Sequence, residues 1–118
     1  MKGKLFLFTA LLGMLIFLEG CKKEPSTGGL TIRVTLNGSS SNIQGAFVGI
    51  GTSLENLHNS LYTAWEQTDA SGEATFSDLK PELYYYEGYL QVGGVQYYKE
   101  GPIMIVAGKH IDLPITLE

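Results

Sequence analysis

A chain of 118 residues with one cysteine has room for a single domain of ordinary size and cannot close a disulfide within itself. Its 8 basic and 12 acidic side chains leave a formal net charge of −4, which gives no electrostatic case for nucleic acid as a partner. Fold stability must therefore come from the core alone. The chain opens with Lys2 and Lys4, continues with an apolar run from Leu5 to Leu18, and reaches the small Gly20 before Cys21. That layout predicts a secretory signal over residues 1–20, because the run is shorter than the roughly 20 apolar residues a permanent span needs.

Leu18-Glu19-Gly20-Cys21 resembles a bacterial lipobox, with Glu19 departing from the usual small or uncharged residue. The resemblance implies that the Cys21 thiol receives a diacylglycerol, that cleavage makes Cys21 the first mature residue, and that its amine is then acylated. More than one acyl chain makes such an attachment stable. Removing Lys2, Lys4 and Glu19 with the signal leaves six basic and eleven acidic residues, a mature charge of about −5. Lys22-Lys23-Glu24 loosely resembles the lysine-then-acidic signals of surface-exposed Bacteroidetes lipoproteins. The implied location is a Gram-negative cell envelope, lipid-anchored at the outer membrane. Residues 21–29, with Pro25, Ser26, Thr27, Gly28 and Gly29, read as a flexible tether.

From Leu30 onward the pattern is that of strands. Leu30, Ile32, Val34 and Leu36 alternate with polar residues, Asn37 to Asn42 form a loop, and Ala46, Val48 and Ile50 share one face of a second strand. Ser53 to Ser60 fits one helical turn, on the spacing of Leu54, Leu57 and Leu61, or a long loop. Tyr62 to Thr68, Ala74 to Phe76, Tyr84 to Val92, Val95 to Lys99, Ile103 to Val106 and Ile111 to Leu117 follow as short runs punctuated by Gly, Pro or Asp. The expected fold over residues 30–118 is an all-β Greek-key sandwich of about seven strands.

Gly93-Gly94 between alternating runs predicts a tight hairpin, setting Gln91 opposite Gln96, Leu90 opposite Tyr97 and Tyr89 opposite Tyr98. With Leu90, Val92, Val95 and Tyr97 inward, Tyr85, Tyr89, Gln91, Gln96 and Tyr98 point outward. Together with Trp65 and Tyr62 they are the candidate ligand-binding surface, since aromatic rings combine apolar area with a polar tip that suits a sugar face or a protein partner. The competing reading is that tyrosines are simply good strand residues.

Gln44-Gly45-Ala46-Phe47-Val48, Thr68-Asp69-Ala70-Ser71-Gly72, Phe76-Ser77-Asp78-Leu79-Lys80-Pro81 and Tyr84, in that order, resemble the carboxypeptidase-regulatory-like or transthyretin-like β-sandwich family. Glu82, where that family commonly has glycine, and the long Ser53 to Leu61 insertion depart from it. The resemblance implies an accessory, structural or binding module without catalysis.

Other chemistries fit less well. Asp69, Ser71 and Glu73 alternate as calcium ligands would, but no further carboxylate follows at ligand spacing before Asp78, and a turn with Asp69 bonded to its own backbone and Gly72 at positive φ explains the run. His58 and His110 lack metal-ligand spacing, and Ser60 near His58 lacks a third orienting group. The end Pro114-Ile115-Thr116-Leu117-Glu118 differs from the Tyr-Arg-Gly-Ser end of the transthyretin-like hydrolases, and Arg33 cannot supply the lysine amine of self-crosslinking adhesin domains. No enzyme activity, cofactor or metal is expected. The partners expected are a membrane through the lipid and a protein or glycan through the tyrosine face.

Overall fold

The structure, a computed structural model, describes residues 25–118 apart from Gly38 and Ser40. The expected signal sequence, the expected lipidation site Cys21 and the first part of the expected tether lie outside the described residues. Seven strands and one helical turn follow in order: β1 (Gly28–Leu36), β2 (Phe47–Gly51), α1 (Leu54–His58), β3 (Ala64–Gln67), β4 (Glu73–Leu79), β5 (Leu83–Val92), β6 (Val95–Met104) and β7 (His110–Leu117). They form a three-stranded sheet, β4-β1-β7, and a four-stranded sheet, β3-β2-β5-β6. Only the β1–β7 pairing is parallel; the other four are antiparallel.

Alternation builds the core. Leu30, Ile32 and Val34 of β1 meet Val48 and Ile50 of β2, with Ala74 and Phe76, Tyr84 and Tyr86, and Ile115 and Leu117 closing the cluster. These side chains are all at most 7% exposed, so burial of apolar surface is the main stabilising term in a chain without a disulfide.

Several boundaries differ from expectation for identifiable reasons. Gly28 and Gly29, expected as the end of a flexible tether, belong to β1, paired with Leu79 and His110. Ser53 caps α1 by accepting from the Asn56 amide at 3.0 Å, and the insertion is thus a helical turn rather than an open loop. Of its three leucines only Leu57 is buried; Leu54 and Leu61 are 41% and 62% exposed. Val95–Lys99 and Ile103–Val106 are not separate strands. They join in β6 through Gly101 and Pro102, which pair with Tyr86 and Tyr85. β6 is a sheet edge, the place where a strand tolerates proline.

The three expected pairs, Gln91 with Gln96, Leu90 with Tyr97 and Tyr89 with Tyr98, are present, and the same register runs on through ten pairs, from Leu83 opposite Met104 to Val92 opposite Val95. Gly93 and Gly94 both have positive φ, 56° and 81°, as a two-residue link of this kind requires. Inward parity does not bring burial at its tip, however. Val92 and Val95 are 52% and 51% exposed, because the hairpin overhangs the end of the core.

The Asp69 run is a turn. The Asp69 carboxylate accepts from the amides of Ser71 (2.8 Å) and Glu73 (3.1 Å), its carbonyl accepts from Gly72 N (2.9 Å), and Gly72 has φ 75°. Glu73 then accepts from Arg33 Nη2 at 2.8 Å on the outer side of the three-stranded sheet. Buried Thr68 beside it donates to the Ile43 carbonyl (2.6 Å) and accepts from Ala46 N (2.9 Å), tying the corner to the entry of β2.

Candidate functional site: an aromatic face with a buried carboxylate

The outer face of the four-stranded sheet follows from register. Val48 and Ile50 point into the core, so Phe47 and Gly49 point out, as do Tyr85, Glu87, Tyr89 and Gln91 of β5 and Gln96, Tyr98 and Glu100 of β6. One row across the face therefore runs Gln67, Phe47, Tyr89, Tyr98, and the next runs Trp65, Gly49, Glu87, Glu100.

Gly49 shapes the centre. A Cβ there would lie 2.7 Å from the Tyr62 ring, so only glycine lets that ring approach β2 this closely. Tyr62 in turn packs on Phe47, with ring centroids 5.2 Å apart and tilted by 54°. Phe47 stacks on Trp65 at 5.7 Å and 24°, leaving Trp65 58% exposed. Aromatic pairs at such distances contribute about 0.5–1.5 kcal/mol beyond area burial.

Beside the rings sits Glu87, only 9% exposed. Its Oε2 accepts from the Tyr62 hydroxyl at 3.0 Å and its Oε1 from the Tyr98 hydroxyl at 3.5 Å. Burial, reinforced by the charges of Glu87 and Glu100, pushes the Tyr98 phenol well above its ordinary range. Burial likewise raises Tyr62, with the Glu87 carboxylate adding to the shift and Ser60 opposing it. Both phenols therefore remain protonated donors to higher pH than a freely exposed tyrosine. Glu100, directly opposite Glu87, pairs with His58 Nε2 at 2.9 Å, so α1 reaches the rim of the same face.

The sequence-predicted residues fall into two groups. Tyr89 and Tyr98 are cross-strand partners, as are Gln91 and Gln96, and the Tyr89 hydroxyl donates to Gln91 Oε1 at 3.1 Å. Trp65 joins them only through Phe47, two strands away. Tyr85 stands apart, beyond Glu87 and opposite Pro102. Phe47, Glu87 and Glu100 were absent from the expected surface. The signal for two of them was present, since the same hairpin register that pairs Tyr89 with Tyr98 also pairs Glu87 with Glu100 and gives both an outward parity.

The two histidines are far apart in the architecture. His58 belongs to this face, whereas His110 Nε2 lies 2.7 Å from Thr31 Oγ1 on the outer side of the other sheet. Among the described residues no group of three or more His, Cys, Asp or Glu side chains could hold a metal ion.

No family model and no curated protein matches this chain. Solved structures do resemble it. GBS52, the minor pilin of Streptococcus agalactiae, aligns with TM-score 0.58 and 16% identity over 80% of this chain and 45% of that one. The Bacillus anthracis TIE protein aligns with TM-score 0.57 and 17% identity over 79% of this chain and 16% of its own length. A Pseudomonas aeruginosa protein whose description proposes carbohydrate binding aligns with TM-score 0.54 and 10% identity, over 80% of this chain and 90% of that one. The chain thus spans less than half the length of the first two. At these identities the likeness establishes the β-sandwich fold and nothing finer.

Proposed function

We propose that this protein is a non-catalytic binding module of a cell envelope, lipid-anchored through Cys21 at the outer membrane, whose aromatic face binds a glycan. The observation that carries the reading is the group of Phe47, Tyr62 and the 58% exposed Trp65 on the outer face of the four-stranded sheet, because aromatic surface flanked by hydroxyl and carboxylate groups suits the alternating apolar and polar faces of a sugar. The placement of His58 and His110 on opposite sides supports a non-catalytic role. The order of motifs resembling transthyretin-like accessory domains points the same way.

A glycan array probed with the protein, followed by titration of Trp65 fluorescence, tests the binding claim. A saturable change with at least one oligosaccharide is the expected result, with the array signal for that glycan lost in Trp65→Ala, and an array blank across neutral and charged glycans rejects the reading. For the anchor, Cys21→Ser should abolish palmitate labelling and move the protein out of the membrane fraction.

A further inference from the structure

We propose that the aromatic face selects a sugar bearing a free ammonium group, with Glu87 as the residue that binds the cation. This rests on the glycan reading above and adds the ligand's charge. The starting point is an imbalance. Glu87 is 9% exposed, yet the ion pairs among the described residues, Arg33 with Glu73 and His58 with Glu100, leave it out. Two phenols hold its oxygens, but neutral donors orient a carboxylate without cancelling its charge, and an unpaired buried charge is costly.

The register compounds the imbalance. Glu100 lies directly opposite Glu87 on the neighbouring antiparallel strand, where like charges destabilise a pair, and His58 offsets Glu100 only when its ring is protonated. The missing partner is a cation. The surroundings suit one, since Tyr62 lies against Glu87 through its hydroxyl and stands next to Phe47, and a cation against aromatic faces gains further attraction as it loses water.

The same geometry says what should carry the cation. Trp65 and Glu87 are two strands apart, about 10 Å in sheet spacing, with the Tyr62 ring lying over Gly49 between them. A sugar ring lying on the exposed Trp65 ring can thus place an ammonium of a neighbouring ring past Tyr62 at the edge of Glu87. A bare amine would engage the carboxylate and leave the stack uncovered.

The test uses the purified full-length protein in detergent, titrated with a β-1,4-linked glucosamine hexamer, its N-acetylated counterpart, a neutral glucose hexamer and a tetralysine peptide, below the pH at which the sugar amine titrates. The glucosamine hexamer should bind at least about tenfold more tightly than either uncharged hexamer, as a charge-assisted bond implies. Glu87→Gln should erase that preference, bringing the three hexamers to within about twofold of one another, and Glu100→Gln, which leaves the buried carboxylate in place, should weaken it only in part. Equal affinity for the three hexamers overturns the ammonium inference and leaves the glycan reading standing. Tetralysine binding as tight as the glucosamine hexamer overturns the sugar as carrier. No binding by any hexamer overturns the inference, and the array above then decides the glycan reading separately.

Discussion

At the scale of single residues, Gly49 controls more of the candidate site than any charged group does. A methyl at that position falls 2.7 Å from Tyr62, so Gly49→Ala must move the ring, break its 3.0 Å bond to Glu87 and loosen its packing on Phe47. The core side of β2 is untouched, since Val48 and Ile50 keep their places. We expect a stability loss of about 1–2 kcal/mol in urea unfolding and a several-fold loss of ligand affinity. Trp65→Ala should separate the two readouts. At 58% exposed the ring is retained at little benefit to folding, so stability should fall by no more than about 1.5 kcal/mol while fluorescence-independent binding, measured by calorimetry, disappears. A Trp65→Ala protein that binds as well as the parent removes the aromatic stack from the site. The tyrosines were legible as a surface because strand parity is a local property. Tyr62 and Phe47 become neighbours only once β2 and the segment after α1 are placed side by side, and spacing in the sequence carries no trace of that contact.

At the scale of elements, the Asp69 corner and the long hairpin show where local chemistry suffices and where it does not. Asp69 accepts from two backbone amides, so Asp69→Ala should cost about 1–2 kcal/mol by leaving both without that acceptor, whereas Asp69→Asn keeps a side-chain oxygen and should cost well under half as much. Equal losses in the two variants, measured by urea denaturation, would mean that the carboxylate charge rather than its geometry matters there. Turn chemistry of this kind is short-ranged and therefore readable, as is the Gly93-Gly94 link. The extent of β6 was not, because Gly101-Pro102 reads as a terminator unless the strand is known to be an edge. Burial at the tip also depends on how far β5 and β6 outrun the opposing sheet, and alternation in Val92 and Val95 does not encode that length.

Across the whole molecule the two outer faces differ in character, and the difference has a pH signature. The three-stranded sheet turns outward a ladder of Thr31 with Thr75 and His110, Thr35 with Thr116, and Arg33 with Glu73, all paired with one another. The four-stranded sheet turns out aromatic rings around Glu87, while its inner side buries Tyr84 and Tyr86. Burial raises the phenols of Tyr84 and Tyr86 as it raises Tyr62 and Tyr98, so four tyrosines share one direction of shift. A phenol raised in the folded state favours folding in its protonated form. That contribution is complete below the ordinary phenol range of about 10 and is lost as pH climbs through the raised folded values, because the unfolded chain releases these protons first. The urea midpoint should accordingly be insensitive to these groups up to about pH 9 and fall steeply above pH 10. Absorbance of tyrosinate near 295 nm should show a fraction of the phenols ionising only as the far-ultraviolet signal is lost. Glu87→Gln removes a charge that helps hold Tyr98 and Tyr62 protonated, so in that variant part of the delayed ionisation should move to lower pH with the fold intact. Should all the phenols ionise near pH 10 in the folded parent, Glu87 and the core would be far less dry than their packing indicates, and the inference of an uncompensated buried carboxylate would fall with them.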